Sequence, residues 1–149
     1  MMDFASTLKN GCVVLALKST TKSDLIEEMV DILVAAGKIS DRAAAIQAVM
    51  DREQKMSTGM QLGVAFPHGK TDTVQDLVVL LALKKEGVDF ASLDGQPSRI
   101  FVMTLSPITR TGPHIEYLAQ IGRRLDSARV RARLLEARTA QEIIGILQE

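Results

Sequence analysis

Two histidines, His68 and His114, carry the imidazoles that could act as nucleophile, base or ligand near neutral pH. His68 sits in Gly63-Val64-Ala65-Phe66-Pro67-His68-Gly69-Lys70, directly after an apolar run that reads as a short strand. Pro67 fixes its own φ and biases Phe66 toward extended backbone. Gly69 is expected to leave an uncluttered face beside the imidazole, and Lys70 adds positive charge. A ring on a rigid strand-to-loop corner with an open face suits nucleophilic attack; a half-exposed turn histidine is the plainer reading of the same residues. His114 is expected at the second position of a helix opened by Pro113. There the unpaired N–H groups and the helix dipole favour anions and disfavour an imidazolium. An ordinary polar residue at a helix start is the plainer reading here too. Two histidines cannot complete a metal site by themselves, and no neighbouring acid has ligand spacing, so neither a metal nor a metal hydrolase is expected.

Two further features could serve such a histidine. Arg52 lies near the end of a helix within Asp51-Arg52-Glu53, where pairing with a neighbouring acid is the default. Ser57-Thr58-Gly59 could present hydroxyls and backbone N–H groups to an oxyanion, or form a polar turn. Cys12, the single cysteine, lies in an apolar segment without an anion-binding loop and reads as core.

The elements that must position these residues follow from periodicity. Residues 12–17 read as a strand. Residues 23–36 repeat apolar side chains every three or four positions, after a capping box from Thr21 to Asp24 and before a stop at Gly37. Ser40 is expected to cap a second helix over 41–55, with Ala44, Ile46, Val49 and Met50 on its apolar face. Residues 77–83 and 99–105 are apolar on both faces, as expected of strands covered by helices on either side. Between them, 86–90 and 94–97 supply turn residues. Helices are expected over 113–124, over 128–137 behind Asp126 or Ser127, and over 140–147 behind a Thr139–Glu142 capping box. Interleaved helices and strands give an α/β fold, a sheet with helices on both sides.

The 149 residues are expected to form one domain. Eighteen basic and eighteen acidic residues give no net charge, which argues against a generic nucleic-acid binder, and 46% hydrophobic residues argue against disorder. One cysteine, no apolar leader and no long apolar run lead us to expect a cytoplasmic protein.

Arg52-Glu53, Ser57-Thr58-Gly59 and Gly63-Val64-Ala65-Phe66-Pro67-His68-Gly69 together resemble the phosphorylation-site signature of phosphotransferase-system enzyme IIA domains of the fructose/mannitol class. The nitrogen-regulatory IIA proteins belong to the same class. The segment 86–90 with Leu93-Asp94-Gly95 is similar to the family's stretch before its central strand, and His114 with Leu118-Ala119 to its second-histidine helix. Phe66 departs from the pattern, because the family usually has a β-branched or aliphatic residue there.

The resemblance implies a type-2 IIA domain over 1–149, with a mixed sheet flanked by helices on both faces. It also implies a phosphoryl relay. His68 would accept the group from the phosphohistidine of HPr or a relative and pass it to a IIB component on a separate chain during sugar uptake. Arg52 would stabilise charge, His114 would support the phosphoryl group or the ring, and Thr58 would orient a ring or an oxygen. Neither cofactor nor metal is implied, and any membrane contact would run through a IIC partner. In a second reading within the family, the phosphohistidine is a regulatory signal. A reading of another class is a nucleic-acid or acidic-partner module built on Arg123, Arg124, Arg129, Arg131, Arg133 and Arg138. Scarce aromatics, 3% of the chain, favour a solvated amphipathic helix for those arginines.

Overall fold

A computed structural model describes residues 12–109 and 111–149, apart from the side chains of residues 111, 113 and 114. Two helices, α1 (Lys22–Ala35) and α2 (Arg42–Lys55), follow the first strand β1 (Cys12–Val14). Strands β2 (Val64–Ala65), β3 (His68–Lys70), β4 (Val78–Val88) and β5 (Ser98–Ser106) come next. The chain closes with α3 (Thr111–Leu125), α4 (Ala128–Glu136) and α5 (Ala140–Gln148).

The sheet is mixed. β1 runs parallel to β4, β4 antiparallel to β5, and both β2 and β3 lie parallel along the far side of β5. Successive side chains of a strand point to opposite faces, and the two central strands use both. Leu80, Ala82, Phe101, Met103 and Leu105 pack with Leu25, Met29 and Val49 under α1 and α2. Val79, Leu81, Leu83, Ile100 and Val102 pack with Tyr117, Ile121, Leu134 and Ile143 under α3 to α5. An apolar sheet covered on both sides is the expected α/β arrangement.

The helix starts follow capping chemistry. Thr21 Oγ1 accepts from the Asp24 N–H, Ser127 from Val130 and Thr139 from Glu142, each satisfying a donor that the first helical turn leaves open. Ahead of α2 the cap is Asp41, whose carboxylate accepts from Ala44 N–H, and not Ser40. The buried stripe of α2 is Ala45, Val49 and Glu53, a four-residue spacing that differs from the expected apolar face and ends in a carboxylate.

Three strand boundaries also differ from expectation. β1 is three residues long, although Leu17 N–H still donates to Leu83 O at 2.9 Å. β4 continues through 86–88, read above as a turn. Its register against β5 shifts between Leu83 and Val88, and Gly87, at φ 83°, absorbs the irregularity against Pro97. His68 opens strand β3 rather than sitting in a loop. Likewise Pro113 is the third residue of α3 and His114 the fourth, because the helix starts at Thr111. A proline in the first turn costs no intrahelical hydrogen bond.

Candidate functional site

Strand β3 pairs with the C-terminal end of β5, with His68 opposite Thr104, Gly69 opposite Leu105 and Lys70 opposite Ser106. Leu105 belongs to the core beneath α1 and α2, so Gly69 faces α2 while His68 and Lys70 face the α3 side. A Cβ on Gly69 would lie 2.7 Å from the Ala48 carbonyl carbon and 2.9 Å from its oxygen. The glycine therefore lets β3 lie against the backbone of α2. It does not clear space beside the imidazole, which is a correction to the sequence reading: positions 68 and 69 face opposite sides of the sheet.

The His68 ring is half-buried, and its Nδ1 lies 2.8 Å from the Phe66 carbonyl oxygen. A carbonyl only accepts, so Nδ1 carries the proton and, in the neutral ring, Nε2 carries the lone pair. Burial pushes the His68 pKa below its ordinary value of 6.5. The Phe66 hydrogen bond opposes that shift, the Arg52 and Lys70 charges reinforce it, and Glu53 opposes it. The ring is thus held neutral and oriented.

Arg52 does not pair with its neighbouring acids. Its Nη1 donates to the Met56 carbonyl at 2.7 Å, closing the end of α2, with its charge near enough to act on His68. Thr58 is buried, and its hydroxyl is committed to Glu53 Oε2 at 2.6 Å while its N–H donates to Glu53 Oε1 at 2.8 Å. The Thr58 hydroxyl therefore does not orient the imidazole; the residue reaches it through the backbone, where its carbonyl accepts from Phe66 N–H at 3.0 Å. The His114 side chain lies outside the described residues. Its helix, α3, begins at Thr111, five residues after β5 ends at Ser106.

Glu53, read from the sequence only as an acid that Arg52 could pair with, is instead bonded to Thr58. Its signal was an acid continuing the Ala45–Val49 stripe, four residues on, where a buried carboxylate demands partners. Beside the site, Met60, Leu62, Phe66, Leu93 and Leu118 line an open groove. Met60, Leu62 and Leu93 are exposed, and Leu62 holds a left-handed backbone at φ 67°, its N–H bonded to Asp94 Oδ2 at 3.0 Å. Cys12 is only partly buried, packed at the margin of the core under α1 and α2. Among the described arginines of the C-terminal third, Arg131 donates to the carbonyls of Leu125 and Asp126, and Arg133 pairs with Glu149. No helix among the described residues is long and apolar enough to cross a membrane.

Comparison with known proteins gives this geometry a family. Residues 6–149 match the family model described as phosphoenolpyruvate-dependent sugar phosphotransferase system, EIIA 2. The fructose-specific EIIA component of Haloferax volcanii is 37% identical over 129 residues, covering 87% of this chain and 84% of its own length. The fructose-specific EIIABC component of Bacillus subtilis is 35% identical over 99% of this chain, which spans only 23% of that longer protein. Among solved structures, the nitrogen regulatory protein IIA-Ntr of Neisseria meningitidis superposes with a TM-score of 0.84 at 29% identity, covering 91% of this chain and 92% of that one. The mannitol IIA of Escherichia coli, solved in complex with phosphorylated IIB, superposes with a TM-score of 0.77 at 25% identity, covering 91% and 93%. With a match over nearly its whole length and a fold shared with these proteins, the chain belongs to the EIIA 2 family of the phosphoenolpyruvate-dependent sugar phosphotransferase system.

Proposed function

We propose that this protein is a phosphoryl carrier that accepts the group on Nε2 of His68 and passes it to a separate IIB component during sugar uptake. The observation that carries the reading is the 2.8 Å contact between His68 Nδ1 and the Phe66 carbonyl, which leaves the Nε2 lone pair as the nucleophile of a neutral ring. The Nε2 lone pair forms the new N–P bond while the bond from phosphorus to the donor histidine breaks. The electron pair of that bond returns to the donor ring. HPr, or a related carrier, is the donor we propose. Such a transfer is loose and in line, so the protein's contribution is placement and charge on the equatorial oxygens.

Arg52 supplies a permanent forked charge there, and the first turn of α3, with His114, supplies N–H groups to the same oxygens. These residues complete the chemistry without a metal or diffusible cofactor. The exposed Met60, Leu62 and Leu93 give successive carriers an apolar surface beside the ring.

Incubation with phosphoenolpyruvate, enzyme I and HPr, followed by intact mass and phosphorus NMR, tests the proposal. One acid-labile phosphoryl group on the wild type, absent from His68→Ala, supports it; equal incorporation in both proteins removes His68 from the chemistry. A regulatory role for the same phosphohistidine is a second reading, motivated by the likeness to the Neisseria nitrogen regulatory protein. Onward transfer to a IIB protein favours transport, whereas phosphorylation by a nitrogen-branch carrier without onward transfer favours regulation.

A further inference from the structure

Lys22, the first residue of α1, is far from His68 in sequence and has no part in the roles above. Its Nζ lies 2.6 Å from Glu53 Oε1 and 3.3 Å from the Phe90 carbonyl, and 4.7 Å from the centre of the Phe90 ring. The Glu53 side chain is 4% exposed, so its charge has almost no water to stabilise it and depends on protein partners. Those partners are Lys22 and both the N–H and the hydroxyl of Thr58. From Thr58 the connection continues through backbone. The Thr58 carbonyl accepts from Phe66 N–H at 3.0 Å, and the Phe66 carbonyl meets His68 Nδ1 at 2.8 Å. Each link joins an element to the next: the start of α1 to the end of α2, α2 to the corner at 57–59, the corner to the chain beside β2, and that chain to the ring.

We propose that Lys22 is a positioning residue for His68: by pinning Glu53 it holds Thr58 and Phe66 where the Phe66 carbonyl fixes the proton on Nδ1 and presents Nε2. The proposal deepens the phosphoryl-carrier reading and rests on it for its biological consequence. Without the ammonium, Glu53 becomes a buried carboxylate with no countercharge, and it must turn toward water or rearrange around Thr58. Either movement displaces the Phe66 carbonyl from the ring. The neutral imidazole then redistributes its proton between its two nitrogens.

The test compares wild type, K22R, K22M and K22M/E53Q as full chains. Long-range proton–nitrogen NMR on histidine-labelled protein, at a pH where the ring is neutral, reads the His68 tautomer without any carrier. K22R retains the charge and is expected to keep the Nδ1–H form. K22M is expected to show a mixture with the Nε2–H form and phosphorylation slowed about tenfold or more, since small misplacements of a reacting group are costly. The double variant leaves no lone buried charge, so it keeps the comparison open if K22M does not fold, and it is expected to show the same mixture. A wild-type tautomer in a folded charge-removing variant overturns the proposal, whatever happens to its melting temperature, since a purely structural lysine would change only that. A wild-type protein that takes up no phosphoryl group overturns the carrier reading instead, while the tautomer comparison still decides the role of Lys22.

Discussion

At His68, burial and two nearby cations keep the ring neutral while one carbonyl chooses its tautomer. The proposed transfer through Nε2 needs both conditions, because a protonated ring has no lone pair and a ring with its proton on Nε2 would offer Nδ1 instead. Arg52 acts on the ring by its charge, and in the proposed transfer it would also meet the incoming phosphoryl group. Arg52→Gln should therefore slow phosphorylation about a hundred- to a thousandfold, in the range of a lost oxyanion partner. It should also raise the His68 pKa toward 6.5, because a lowering charge has gone. A rate–pH profile reads both effects, and a slowed variant with an unmoved acid limb would place Arg52 too far from the ring for the role given it. His68 was singled out in the sequence by Pro67 and by the resemblance, and the structure adds its hydrogen bond to the Phe66 carbonyl. The reason for Gly69 was not legible, since only pairing with β5 reveals which face each neighbour takes.

At the scale of elements, the candidate site is a meeting of α2, the corner at 57–59 and the edge strand β3. Gly69→Ala would force a methyl into the Ala48 backbone, which cannot yield as a side-chain tip could. A loss of about 1–3 kcal/mol in denaturant unfolding is expected, in the range for overpacking, together with slower phosphorylation as β3 lifts from α2. Unchanged stability would mean that β3 does not need this close approach. Leu62 makes the opposite trade: a leucine in left-handed backbone is strained, yet it displays an apolar side chain at the groove. Leu62→Gly should leave the melting temperature unchanged or raise it, while transfer from a dilute carrier slows. Full transfer at low carrier concentration would remove Leu62 from docking.

Helices α1, α4 and α5 were readable because a cap and a 3.6-residue period agree at each. The two central strands were readable because both faces are apolar. β3 was not, since His68-Gly69-Lys70 has no alternation of its own and becomes a strand only by bonding to β5. The continuation of β4 past Lys85 was hidden for a similar reason. Glu86-Gly87 carries turn chemistry, and the structure uses it for an irregularity within a strand.

For the whole molecule, a mixed sheet between two helical layers carries the half-buried His68 on its edge strand β3. The Lys22–Glu53 pair is a product of that closure, joining residues from separate helices, so no local pattern announces it. The folded state also carries the histidine's shift as pH-dependent stability. The folded pKa of His68 lies below the unfolded one, so the unfolded chain takes up a proton first. Its contribution is fully present above 6.5 and is lost as pH falls through the folded value. Asp94, lowered by the Gln96 and Leu62 N–H groups, acts in the same direction in a more acidic window, below its ordinary 3.8. Denaturant midpoints at about pH 7.5 and about pH 5.5 should fall for the wild type and fall less for His68→Ala, the interval bracketing the ordinary histidine range. Equal losses in the two proteins would assign the dependence to other groups.

The central claim is that phosphorus is carried on one nitrogen of one ring. Phosphorylating histidine-labelled protein from HPr and reading the nitrogen–phosphorus coupling by NMR identifies that atom directly. A single phosphohistidine at His68, bonded through Nε2 with Nδ1 still facing the Phe66 carbonyl, is the predicted result. A phosphoryl group on Nδ1, or on any other residue, would contradict it.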